Sequence, residues 1–139
     1  MGTQQILLIV LSVIIVGIAV AVGITMFNAQ ASNSNRQAVV GDLNNLAASA
    51  LAFYKTPDTH GGGGNSFTSS VDNVGNWLGY GYTAGTLTTG NGSYALSCTA
   101  LALTIVGTGT ENGNDGSTSV KATIVVTGAS SGIVTTINN

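Results

Sequence analysis

The N-terminal part of the chain is dominated by one uninterrupted apolar segment. It runs from Ile6 to Phe27, twenty-two residues without a charged side chain. Its polar exceptions, Ser12 and Thr25, carry hydroxyls that can bond back to helix carbonyls. A run of at least about 18 apolar residues can cross a bilayer as a helix. Because the segment is apolar on every side, we predict an apolar helix over residues 1–27, surrounded by lipid or by identical helices.

A cleavable secretory signal is the main alternative for such a segment. Its apolar region usually spans about 7–15 residues and follows positive charges. Here the run is longer, and no lysine or arginine occurs before it. Nearby positive charge normally sets orientation in a membrane, so either a basic segment preceded Met1 and was removed, or the first fixed charge is Arg36 on the far side of the helix. We favour removal.

Residues 28–56 show a second pattern, that of an amphipathic helix. Apolar residues recur there at spacings of four, three, four and three, which is one stripe of a helix. The stripe consists of Val39, Leu43, Leu46, Ala50 and Phe53. Pro57 cannot continue the helix. We therefore predict one helix from about Thr3 to Lys55, on the order of 80 Å long at 1.5 Å per residue.

Residues 57–139 begin with a glycine-rich loop and continue with alternating strand patterns. The loop His60–Gly64 has no side chains to pack, which predicts flexibility. Two strands are indicated by alternation of apolar and polar residues. They are Val120–Thr127, with Val120, Ala122, Ile124 and Val126 on one face, and Ile133–Ile137.

A further strand pattern changes phase in the middle. Tyr94, Leu96 and Cys98 share one phase, and Leu101, Leu103 and Ile105 share the opposite one. This change predicts a bulge or break near Thr99 and Ala100. Turn residues separate the strands at 90–92, 112–116 and 130–132. We predict an α+β fold in which a small antiparallel meander of about four strands packs one face on the helix stripe.

The charge content is low for a soluble protein. Only 8 of 139 residues carry a formal charge, 6% against a usual fraction of about a quarter. A surface this neutral suggests a chain that packs against copies of itself. The net charge of −2 supplies no basic patch, so nucleic-acid binding is not indicated.

Catalytic and cofactor chemistry is not indicated by the sequence. His60 is the only histidine, and it lies beside four glycines without metal ligands at a suitable spacing. Ser97 and Cys98 therefore lack a general base. The glycine run lacks the lysine and hydroxyl residue of a phosphate-binding loop. We predict no enzyme activity, no catalytic residue, no cofactor and no metal.

Three smaller features have a structural and a functional interpretation. Cys98, the single cysteine, is expected to be a small buried apolar residue; an intermolecular disulfide or a reactive thiol is the alternative. The segment Glu111–Gly116 is expected to be a hairpin turn, with a calcium site as the alternative. Asn91-Gly92-Ser93 is a glycosylation sequon in a predicted turn, which makes Asn91 a candidate for glycosylation.

The order of these segments resembles the mature type IV pilin family. A few uncharged residues, an apolar helix, an amphipathic helix half and an antiparallel sheet follow one another as in those subunits. The resemblance implies a short leader removed by a prepilin peptidase, and N-methylation of Met1. It also implies a single-pass stay in the inner membrane, then assembly by pilus machinery into an extracellular homopolymer on the cell surface.

The resemblance also assigns roles within the N-terminal helix. Met1, Gln4 and Gln5 would make the N-terminal contacts between subunits. The filament core would consist of Ile6, Leu7, Ile9, Val10, Val13, Ile14, Gly17, Val20, Gly23 and Phe27. Gly17 and Gly23 each weaken a helix by about 1 kcal/mol relative to alanine, so we predict a helix that is not uniformly regular in the filament.

Three features depart from the family pattern. Most such pilins have a glutamate at the fifth mature position, where this chain has Gln5. The proline common near the end of the apolar region is missing, and so is the C-terminal disulfide loop.

The sequence thus predicts a structural, major pilin-like subunit of an extracellular filament. Two alternatives remain open at this point. One is a pseudopilin of a secretion or DNA-uptake machine. The other is a single-pass membrane-anchored binding module, which predicts a concave or charged surface on the residue 57–139 head.

Overall fold

The computed structural model describes residues 2–67 and 70–139. The chain forms an α+β fold, as predicted. Its elements are helix α1 (Thr3–Lys55), a 3-10 turn (Asp58–His60), helix α2 (Val71–Leu78), and strands β1 (Thr86–Thr89), β2 (Gly92–Cys98), β3 (Ala102–Asn112), β4 (Ser119–Thr127) and β5 (Gly132–Ile137). The chain divides into an N-terminal unit that ends at Ala31 and a C-terminal unit, Ser32–Asn139.

Helix α1 confirms the predicted bounds at both ends. It is helical without interruption across Gly17 and Gly23. The predicted loss of regularity concerns the assembled filament and stays a prediction. The helix ends before Pro57, which has no N–H to donate. Lys55 lies in the last turn, where a positive charge is favourable next to the unpaired carbonyls.

The glycine loop after α1 closes the helix end. The amides of Gly63 and Asn65 donate to the carbonyls of Phe53 (2.8 Å) and Tyr54 (2.8 Å). These are carbonyls that a helix end leaves unpaired. A Cβ atom at Gly63 would lie 2.9 Å from the Phe53 ring, so the chain approaches the helix too closely for a larger residue. The predicted loop is present, and its backbone bonds form a turn against the helix.

The sheet is a five-stranded antiparallel meander in the order β1-β2-β3-β4-β5. The prediction of about four strands is one short, because β1 was not predicted. That strand has only four residues, of which Leu87 alone is buried. Four residues with a single buried apolar position show too little alternation to be seen in a sequence.

The change of phase near Thr99 and Ala100 is a chain reversal. Cys98 pairs with Leu103 across the β2–β3 hairpin, and the Thr99 amide donates to the Ala102 carbonyl at 2.8 Å. The prediction allowed a bulge or a break, and the structure has a break. The irregularity in the ladder lies elsewhere, between Thr108 and Asn112 of β3.

Helix α2 was not predicted. The Ser70 side chain caps its N-terminus by accepting a 3.3 Å hydrogen bond from the Asn73 amide. Its buried residues are Val74, Gly75 and Leu78. Eight residues with two buried apolar side chains give a weak periodic signal, which explains the omission.

The core of the C-terminal unit lies between the second half of α1 and the inner face of the sheet. All five residues of the predicted helix stripe are buried, and so are all four residues predicted on one face of β4. All five stripe residues and three of the four β4 residues belong to one apolar cluster, which also contains Leu87, Tyr94, Leu103 and Ile105; the β4 members are Ala122, Ile124 and Val126. The predicted packing of the sheet on the helix stripe is confirmed.

Candidate functional site

The apolar segment of α1 is exposed along its whole length. Every large apolar side chain from Ile6 to Phe27 is at least 49% exposed. The helix is long and apolar enough to cross a membrane. Exposure of this much apolar surface to water is unfavourable at about 25 cal/mol per Å². The segment is therefore a candidate surface for contact with lipid or with other apolar helices.

The hydroxyls of this segment are satisfied inside the helix, as predicted. Ser12 Oγ donates to the Leu8 carbonyl at 2.8 Å. Thr25 Oγ1 lies 2.8 Å from the Val22 carbonyl and 3.3 Å from the Ala21 carbonyl. Both polar groups can thus lie in an apolar environment without an unpaired donor.

The N-terminal contact residues fall at the first turn of α1. Gln4 and Gln5 are exposed, and the Gln5 amide donates to the Gly2 carbonyl at 3.1 Å. Because α1 begins at Thr3, both glutamine side chains lie in the first turn of the helix. Met1, assigned to N-terminal contacts and N-methylation, lies outside the described residues.

Sequence reasoning missed a stripe of small residues on the exposed half of α1. Gly17, Ala21, Thr25 and Ala29 are spaced by four and so share one helix face. No atom outside the local helix lies within 4 Å of a Cβ built at Gly17. Small residues at this spacing let two helix backbones approach closely in an apolar environment. The i+4 spacing alone was the signal that could have found this face.

A charged acceptor joins α1 to the first hairpin. One carboxylate oxygen of Asp42 accepts hydrogen bonds from Tyr94 Oη (2.6 Å), Asn91 Nδ2 (3.0 Å) and Thr89 Oγ1 (3.1 Å). Burial and this hydrogen bond raise the pKa of Tyr94, so its hydroxyl remains a donor. The three donors come from β1, β2 and the turn between them, and they fix the hairpin on the helix.

Asn35 and Arg36, one turn before Val39 on α1, also bind the C-terminal unit through their side chains. Asn35 Oδ1 accepts from the amides of Thr110 (3.1 Å) and Glu111 (3.3 Å). Arg36 donates to the Asn114 side chain at 3.0 Å and to the Asn139 backbone carbonyl at 3.3 Å. The second half of α1 thus makes polar contacts with the end of β3, with the β3–β4 turn and with the end of the chain.

The sequon at Asn91 has a structural role in this arrangement. Its side-chain nitrogen, the atom to which a glycan would be attached, donates to Asp42. The predicted turn at 90–92 connects β1 and β2. A glycan on this nitrogen would replace one of its protons and compete with the bond to Asp42.

The segment Glu111–Gly116 comprises the last two residues of β3 and the first part of the turn to β4, where a turn was predicted. Asp115 Oδ1 accepts from the amides of Ser117 (3.0 Å) and Thr118 (2.9 Å), and Oδ2 accepts from the Thr118 hydroxyl (2.5 Å). These bonds hold the pKa of Asp115 well below its ordinary value. Within residues 2–67 and 70–139, no group of three His, Cys, Asp or Glu residues is placed to hold a metal ion.

Two further side chains with potential reactivity are His60 and Cys98. His60 is exposed, and its Nδ1 lies 3.2 Å from the Thr59 hydroxyl. Cys98 is half-buried, where the sequence predicted a buried residue, because it lies at the last position of β2. Burial raises the pKa of its thiol, which lowers the thiolate fraction and with it the reactivity.

Comparison of the chain with protein-family models, with curated proteins and with solved structures gives no match.

Proposed function

We propose that this chain is the structural subunit of an extracellular filament and that it polymerises through the N-terminal half of α1. The observation that carries the proposal is the exposure of the whole segment Ile6–Phe27 in a helix that continues directly into the core of the C-terminal unit. A bundle of identical helices would supply the missing apolar surroundings.

The low charge content of the chain supports assembly and argues against a soluble monomeric state. Six per cent charged residues give little electrostatic repulsion between copies. The stripe of Gly17, Ala21 and Thr25 supports close helix packing, which lipid contact alone does not require. In this proposal the C-terminal unit forms the outer surface of the filament, and the inner membrane holds the subunit before assembly.

Two substitutions to leucine, one on the small face and one beside it, separate polymer packing from membrane anchoring. Ala21→Leu enlarges the small face, and Val20→Leu adds one methylene at a neighbouring position that is already large. Both keep the segment apolar, so both variants should still insert into membranes. We expect Ala21→Leu to reduce filament yield, measured by electron microscopy of surface material, while Val20→Leu assembles like the parent.

Deletion of residues 1–27 provides the complementary test. The core of the C-terminal unit lies entirely within Ser32–Asn139, so we expect a monomeric, water-soluble head. If the truncated chain still forms filaments of the original diameter, the helix is not the polymer core. If the full chain forms no filaments and is monomeric in detergent, the chain is a membrane-anchored binding module.

A further inference from the structure

The C-terminal unit contains a shallow depression beside α2. It has a volume of about 360 Å³ and is lined by Asp58, Gly61, Gly62, Asn73, Asn76 and Trp77. A volume near the lower end of the range for ligand sites, about 300–1,000 Å³, fits a single small ring.

Two residues that line the depression, Gly61 and Gly62, occupy positions that favour glycine. Gly61 has a φ of +79°, in the left-handed region that glycine adopts without strain. A Cβ atom at Gly62 would collide with the carbonyl and side chain of Thr56. At these two positions the depression is therefore lined by backbone alone.

Trp77 is fixed in position although part of it is open to solvent. Its ring packs edge-on against Phe53, with centroids 5.8 Å apart and an interplanar angle of 67°. Phe53 is fully buried, so it anchors Trp77 to the core, yet Trp77 is 41% exposed. An aromatic ring held this way offers a large apolar surface at low entropic cost to a ligand.

The polar side chains next to Trp77 have capacity for a ligand. Among the described residues, the side chains of Asp58 and Asn76 make no hydrogen bond to the protein. A carboxylate accepts hydrogen bonds, while an amide both donates and accepts them. The depression therefore combines one apolar platform with acceptors and donors at its rim.

We propose that this depression binds a hexopyranose ring. A pyranose has C–H groups on its faces, which suit the apolar surface of Trp77, and hydroxyls at its rim, which both donate and accept hydrogen bonds. Asp58 would accept from two neighbouring hydroxyls, and Asn76 would bond a third. An organic cation is a poorer fit, because a cation site gains most when several aromatic faces surround the charge. The proposal is independent of polymerisation.

Fluorescence can report on this site alone, since Trp77 is the only tryptophan. The full chain is kept in a polyoxyethylene detergent, which contains no sugar, and is titrated with the methyl glycosides of glucose, galactose and mannose. We expect a saturable change in Trp77 emission with at least one of them, at a Kd on the order of 1–10 mM. Asp58→Asn and Asn76→Ala should each weaken binding about fivefold. The control Asn45→Ala, an exposed residue of α1, should leave the Kd unchanged.

Three outcomes would overturn the proposal. One is no saturable change with any glycoside up to about 100 mM, roughly tenfold above the weakest expected Kd. The second is an unchanged Kd in the Asp58→Asn/Asn76→Ala double variant, provided its circular dichroism matches the parent. The third is tighter saturation by tetramethylammonium than by any glycoside, which would assign the depression to cations. As a separate readout, Trp77→Phe should weaken glycoside binding in calorimetry.

Discussion

The hydroxyl of Tyr94 donates a 2.6 Å hydrogen bond to the carboxylate of Asp42, 52 residues earlier in the chain. Tyr94 is fully buried in β2, and Asp42 lies on α1. The same carboxylate oxygen also accepts from Asn91 and Thr89. One charged acceptor thus carries most of the polar attachment between the first hairpin and the helix.

This attachment predicts acid sensitivity of the C-terminal unit. Partial burial works to raise the pKa of Asp42, but the hydrogen bonds from Tyr94, Asn91 and Thr89 lower it below its ordinary value of 3.8. A depressed pKa in the folded state adds stability above the unfolded pKa, and this stability is lost as the pH falls through the folded value. We therefore expect acid to unfold the C-terminal unit with a midpoint below about pH 4, followed by near-ultraviolet circular dichroism.

Asp115 also has a lowered pKa and contributes in the same pH range, so a variant has to separate the two residues. In Asp115→Asn the part of the acid transition due to Asp42 should persist, and in Asp42→Asn it should be absent. At pH 7 we expect Asp42→Ala to lower the free energy of unfolding by about 1.5–3 kcal/mol, as for hydrogen bonds to charged groups. Asn45→Ala, on the exposed face of the same helix, should change it by less than about 0.5 kcal/mol. Equal losses of unfolding free energy in Asp42→Ala and Asn45→Ala would show that the hydrogen bonds to Asp42 do not stabilise the C-terminal unit.

Close approach of the helix to the sheet predicts intolerance at Gly107. A Cβ atom there would lie 2.9 Å from Val39 Cγ1 and 3.0 Å from the ring of Tyr94. All three residues are buried, so little room exists for adjustment. We expect Gly107→Ala to cost about 1–3 kcal/mol in denaturant unfolding, the usual range for overpacking. Gly90→Ala is the control, because no atom lies within 4 Å of its added Cβ. Unchanged stability in Gly107→Ala would show that the helix can shift away from the sheet.

Features with local periodicity were predictable from the sequence. The apolar run and the stripe Val39–Phe53 predicted helix α1 to its last residue, since Pro57 marks the end. The alternation in β4 likewise predicted which of its residues are buried. Strand β1 and helix α2 were missed because each buries too few apolar side chains to produce a period.

The contacts that hold the C-terminal unit together left no such signal in the sequence. Asp42 and Tyr94 are distant in sequence, so the bond between them follows from the register of the sheet on the helix. Likewise, the depression at Trp77 depends on α2, whose presence was not predicted. The proposed assembly segment was identified from its length and lack of charge, whereas its role in a polymer needs an experiment.

The proposed polymer predicts a role for Gln5 at the start of the bundle. A neighbouring subunit's N-terminal amine buried among apolar helices would cost several kcal/mol without a partner. We expect the Gln5 amide oxygen to accept a hydrogen bond from a neighbour's N-terminus or backbone. Gln5→Leu should therefore reduce filament assembly, scored by electron microscopy, and Gln5→Glu should be tolerated. Assembly of the parent should vary little between about pH 4 and 7, where a glutamate begins to protonate. A leucine variant that assembles like the parent would show that this position does not set the subunit register.

Gly17 and Gly23 predict local loss of helical hydrogen bonding on assembly. Each glycine lowers helix stability by about 1 kcal/mol relative to alanine, although α1 is continuous across both. Hydrogen exchange should be faster around these residues in filaments than in the flanking turns. The Gly17→Ala/Gly23→Ala variant should restore protection if it assembles. Uniform protection along the parent helix in filaments would contradict this prediction.

Cryo-electron microscopy of filaments formed by the full chain tests the central claim most directly. We expect the filament axis to consist of packed α-helices into which Ile6–Phe27 can be built, with the small face of Gly17 and Ala21 against a neighbouring helix. The five-stranded sheet should lie at the outer surface. A filament whose axis is formed by the sheets, with Ile6–Phe27 outside the core, would contradict the account.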